Sequence, residues 1–218
     1  MNRKRKLTEI VIFAIAFAFV ESAVVTYLRA IYYPQGFSFP LRMLGTSHVF
    51  VELAREFATI VMLVLIGTLA GSTRWQKFSY FLIAFGVWDI FYYVWLKVIL
   101  NWPATLFDWD ILFLIPLPWI GPVIAPVLIS LVMIVGGLLI IREEELGRTF
   151  HPPVLSWLVS AFATVVVLFT FMRDTGATLH SQQPQPYLYV VFVPAILLYL
   201  LAMILGVRGS RSMSEGKN

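Results

Sequence analysis

His48, Glu52, Arg55, Glu56 and Thr59 recur at i, i+4, i+7, i+8 and i+11 inside an apolar stretch, so on an α-helix they share one face. Three kinds of chemistry fit such a stripe. An imidazole and carboxylates at helical spacing can ligate a hard or borderline divalent ion, with His48, Glu52 and Glu56 as the candidate ligands and a divalent metal as the candidate cofactor. Acids in low dielectric can carry protons, and a guanidinium among them can hold an anionic group or neutralise its neighbours. Charge at membrane depth costs a few kcal/mol per group or more, so these side chains must face protein or water.

The elements that would position them are membrane helices. Of 218 residues, 60% are hydrophobic and 13% charged, and mean hydropathy is +0.84, more apolar surface than a soluble domain of this length can hide. The expected fold is all-α: one integral membrane domain over 1–218, a polytopic helix bundle with spans at about 7–29, 48–70, 78–99, 120–141, 154–172 and 188–207. A short apolar run at about 106–119, flanked by Trp109 and Trp119 and broken by Pro116 and Pro118, reads as an interfacial or re-entrant segment. Arg142 to Glu145 reads as a solvated helix end. The loops alternate in basic charge. Arg3, Lys4, Arg5, Lys6, Arg74, Lys77, Arg142, Arg148, Arg208, Arg211 and Lys217 fall on one side, against Arg29, Arg42, Lys97 and Arg173 on the other. Basic loops stay in the cytoplasm, so both termini are expected there, in a bacterial or archaeal cytoplasmic membrane. The N-terminal Arg-Lys-Arg-Lys and the apolar run after it read as a retained signal anchor, because Glu21-Ser22-Ala23 makes a poor cleavage site.

Depth arithmetic gathers the charges. At 1.5 Å per residue, Glu21 lies ~9 Å below the outer edge of a ~30 Å core, Glu52 ~6 Å, Glu56 ~12 Å and Asp89 ~13 Å. Four carboxylates from three consecutive spans then share one layer. Asp89, Tyr93 and Lys97 follow at four-residue intervals with Tyr92 and Trp88 alongside, and Arg29 shares a face with Glu21. The candidate ligand- or proton-binding set is therefore Glu21, Arg29, Glu52, Arg55, Glu56, Asp89, Tyr92, Tyr93 and Lys97. Ala14, Ala18 and Ser22 in span one, and Gly67 and Gly71 at the end of span two, let helix backbones approach closely.

The leading expectation is binding or translocation of a small ligand or ion, with the arginines taking an anionic group and Tyr92, Tyr93 and Trp88 forming apolar walls. A six-span chain with a small-residue first helix resembles, in architecture alone, the substrate-binding subunits of energy-coupling-factor vitamin transporters; the likeness implies a transport-type role. One alternative is a membrane enzyme using carboxylate acid–base or metal-assisted chemistry on a lipid-like substrate. No Gly-x-Ser-x-Gly, His-Glu-x-x-His or Gly-rich phosphate loop occurs, and no catalytic residue can be named. The other is a scaffold subunit whose four acids and three cations, Arg29, Arg55 and Lys97, form a structural ion-pair network. Expected partners are membrane lipids, a small ligand or ion, and partner subunits or a second copy of the chain, but not nucleic acid. With no cysteine, disulfide and thiol chemistry are excluded.

Overall fold

In the computed structural model, residues 3–41 and 45–215 are described; Arg42 and Lys217, counted above among the loop charges, lie outside them. The described residues form seven helices and one hairpin: α1 (Arg3–Tyr32), α2 (Thr46–Ala70), α3 (Arg74–Leu100), β1 (Trp109–Phe113), β2 (Trp119–Pro122), α4 (Ile124–Glu145), α5 (Val154–Met172), the short α6 (Thr175–Leu179) and α7 (Tyr189–Glu215). Long helices are the solution an apolar solvent dictates, because each satisfies its own backbone polar groups. Five helical stretches (Arg3–Tyr32, Arg74–Leu100, Ile124–Glu145, Val154–Leu179 and Tyr189–Ser212) are long and apolar enough to cross a membrane. α2 has the length, at 25 residues, but Glu52, Arg55 and Glu56 interrupt its apolar run.

α3 is the central helix, with α1, α2 and α4 packed around it, while α5 and α7 form a second pair joined to the rest through α4. Small residues set the closest crossings. A Cβ on Gly86 of α3 would lie 2.6 Å from the Ser130 carbonyl of α4, and one on Gly137 of α4 would lie 2.7 Å from the Ser79 carbonyl of α3. Ala14, Ala18 and Ser22 of α1 are fully buried, and hydrogen bonds bind that seam: Ser22 Oγ donates to the Tyr92 carbonyl at 3.0 Å and Trp95 Nε1 to the Ile15 carbonyl at 3.0 Å.

The segment expected at about 106–119 takes the form of a hairpin over 109–122: β1 and β2 pair antiparallel, Asp110 opposite Gly121, and β2 packs on α4, α5 and α6. Asp110 and Ile120 are buried, and burial within protein is the condition under which non-helical backbone is tolerated at membrane depth. One expectation is corrected: Arg142 to Glu145 is not a wholly solvated helix end. Glu143 is 1% exposed and accepts from Arg148 Nη1 at 3.2 Å and Arg211 Nη2 at 3.0 Å, because a carboxylate that two guanidiniums can reach is stabilised at the junction of α4 and α7. Arg3 pairs with Glu145, and Thr73 Oγ1 donates to Glu144 at 2.9 Å. This basic end is tied shut.

Candidate functional site

At the opposite end the helices splay. There α1 finishes, α2 begins and α3 terminates in Asn101, whose φ of 53° is left-handed, a conformation asparagine tolerates. α1 and α2 make little contact with each other, and the space between them and α3 is closed by the hairpin, by loop residues such as Phe37 and Leu41, and by α6. The result is a cavity of about 400 Å³ whose walls are mostly apolar, a size within the ordinary range for small-ligand pockets.

Its polar groups are concentrated. Five carboxylates, Glu21, Glu52, Glu56, Asp89 and Asp110, line it with two guanidiniums, Arg29 and Arg55. Arg55 is committed to two acids: it pairs with Glu21 of α1 and donates from Nε and Nη2 to Glu52 Oε2 at 2.9 and 2.6 Å. Thr59 Oγ1 adds a longer bond to Glu21 at 3.3 Å. Arg29 donates from Nη2 to Asp110 Oδ1 at 2.9 Å, and its guanidinium carbon lies 4.2 Å from the Phe37 ring centre and 3.7 Å from that of Trp102. Such stacking holds a cation in place without hydration.

The other two acids have dipoles instead of cations. Glu56 accepts the Leu114 backbone N–H at 2.8 Å on Oε2 and 3.1 Å on Oε1, and Asp89 Oδ2 accepts from Ser130 Oγ at 2.7 Å. Both are buried, at 7% and 8% exposure. Among the described residues neither has a cation within ion-pair distance. Trp88, 5% exposed, also lines the cavity, and its Nε1–H has no acceptor among the described residues.

No family model, curated protein or solved structure matches the chain, so the comparisons lend no support to the architectural likeness to vitamin-transporter subunits. The site must be read from its own residues.

Of the residues singled out from sequence, the structure gathers Glu21, Arg29, Glu52, Arg55, Glu56, Asp89, Tyr92 and Tyr93 around the one cavity. Lys97 is elsewhere: exposed, it donates to the carbonyls of Asn101 at 3.3 Å and Pro103 at 2.9 Å, serving the end of α3. His48 is exposed and hydrogen-bonds Tyr32 through Nδ1 at 2.8 Å instead of turning toward Glu52 and Glu56. Among the described residues no three His, Asp or Glu side chains come together as metal ligands would. The residue missed was Asp110. The segment at about 106–119 holds two acids, Asp108 and Asp110, and neither was weighed as a partner for Arg29, which was grouped with Glu21 on its own helix; the signal available was that an acid inside an apolar run needs a cation.

Proposed function

We propose that the chain is an integral membrane protein of six spans, α2 included, with both termini in the cytoplasm, and that it binds a small amphiphilic ligand from the outer half of the bilayer as part of a transport-type role. The single observation that carries the reading is the cavity: about 400 Å³, mostly apolar in its walls and charged in one sector. A purely structural network would fill its volume, since protein interiors pack densely and a void forfeits contacts on every side. The basic end is the cytoplasmic one by the same charge rule that oriented the loops, which puts the cavity under the outer leaflet. Exposed Phe57, Leu65, Leu69 and Phe162 give lipid chains their contacts, and α2 crosses with its charged stripe turned inward.

The test is extraction of small molecules from the detergent-purified full chain, read by mass spectrometry against Leu53→Trp. Leu53 lines the cavity, and an indole there occupies the ligand's space. A compound carried near stoichiometrically by the wild type and lost in the variant is the expected result; identical extracts from both proteins would overturn the reading.

A further inference from the structure

The charge distribution of the cavity narrows the ligand class, an inference that rests on the binding role proposed above. Both guanidiniums are already charge-paired with protein carboxylates, Arg55 through all three nitrogens and Arg29 through Nη2, so their charge is compensated before any ligand arrives and, among the described residues, only Arg29 Nη1 is left as a donor. Glu56 and Asp89, in contrast, have no cation at ion-pair distance among the described residues: Glu56, with Arg55 nearby, accepts backbone N–H groups of Leu114 and Ile115, and Asp89 accepts from Ser130. A buried carboxylate without a counter-cation is costly, and the arrangement is relieved by any cation brought into the same space. A second observation is independent of the acids: Trp88 Nε1–H and Arg29 Nη1 are buried donors with no acceptor among the described residues, and both residues line the cavity. Trp88 also stacks on Tyr92, ring centres 6.5 Å apart, so aromatic faces border the charged sector, as ammonium recognition favours.

We propose that the cavity takes an amphiphile with a protonated amine head: the ammonium compensates Glu56 and Asp89, a ligand oxygen accepts from Trp88 Nε1–H, and the hydrocarbon part lies along the apolar walls. Inorganic cations fit less well, because the described residues offer no cluster of metal-ligating side chains and most of the cavity wall is apolar. The chemistry is common to a free alkylamine and to an ethanolamine lipid headgroup.

The experiment is calorimetric titration of the detergent-purified full chain at neutral pH with octylamine, octanol and octanoate, specific binding being the signal lost in Leu53→Trp. Octylamine is expected to bind at least about 10-fold more tightly than octanol, and Glu56→Gln and Asp89→Asn are each expected to erase about 10-fold of that preference, the scale of a charge-assisted hydrogen bond. Thermal midpoints are read first; if Glu56→Gln does not fold, Asp89→Asn and the wild-type ranking carry the test. Specific binding with no preference for the amine, or a preference untouched by both variants, overturns the amine assignment and leaves the cavity reading standing. No specific binding of any of the three overturns both. In nanodiscs, loss of octylamine binding with phosphatidylethanolamine but not phosphatidylglycerol assigns the head to a lipid; equal binding in the two assigns it to a free amine.

Discussion

The Glu56 carboxylate of α2 holds the backbone N–H of Leu114, just past the end of β1, with 2.8 Å to Oε2 and 3.1 Å to Oε1. A side chain from a charged helical stripe thereby satisfies irregular backbone inside the protein, and that contact ties the hairpin to α2 beside the cavity. Glu56→Ala removes the acceptor and leaves the amide unpaired, a loss of roughly 1–3 kcal/mol. Hydrogen–deuterium exchange in 109–122 is expected to accelerate while the cores of α3 and α4 stay protected. Unchanged exchange in that segment would show that the bond does not hold the hairpin.

Arg29 and Asp110 are 81 positions apart in sequence and form the most buried ion pair at this end, with side chains 8% and 3% exposed. Removing one partner leaves the other charge buried alone, so Asp110→Asn or Arg29→Met should each destabilise by roughly 3–5 kcal/mol. The double variant Arg29→Met with Asp110→Leu should regain much of that loss, since two apolar groups strand no charge. A thermal-unfolding cycle in detergent decides it; additive losses would mean that the two residues act independently.

The helices were legible in sequence because hydrocarbon imposes one rule on every span, long apolar runs, and α2 was legible because its polar residues repeat at helical spacing. The common depth of Glu21, Glu52, Glu56 and Asp89 was read from rise per residue, and their facing one another from helical spacing within each span. The hairpin was not legible. Its strands are five and four residues long, too short for alternation to stand out from an apolar run, and Pro116 and Pro118 in the connection read equally as interfacial breaks. With it went Asp110, and with Asp110 the reason for Arg29 to be buried. Lys97 was misplaced for a different cause: periodicity assigns a helix face, but the chain just past α3 presents the carbonyls of Asn101 and Pro103, which the flexible ammonium reaches.

Gly86 and Asp89 lie one turn apart on α3, and both meet Ser130 of α4: the glycine at its carbonyl, the aspartate at its hydroxyl. Adding a methyl in Gly86→Ala places Cβ 2.6 Å from that carbonyl, so α4 must move, costing roughly 1–3 kcal/mol. The movement is expected to loosen the Asp89 bond as well. Combined with Ser130→Ala, Gly86→Ala should therefore cost less than the sum of the single changes, measured as detergent melting shifts. Strict additivity would separate the helix crossing from the carboxylate it serves.

Orientation is open to a clean test because the chain contains no cysteine, so any thiol introduced is the only one. Gln182 lies exposed in the connection between α6 and α7 at the cavity end, and Thr149 lies exposed between α4 and α5 at the basic end. With basic loops inside, Gln182→Cys in intact cells should react with a membrane-impermeant maleimide and Thr149→Cys only after permeabilisation. The converse pattern would turn the molecule over and put the cavity under the inner leaflet. Labelling of both in intact cells would mean that the connection between α4 and α5 is outside with α6, so that α5 does not cross and the chain has fewer than six spans.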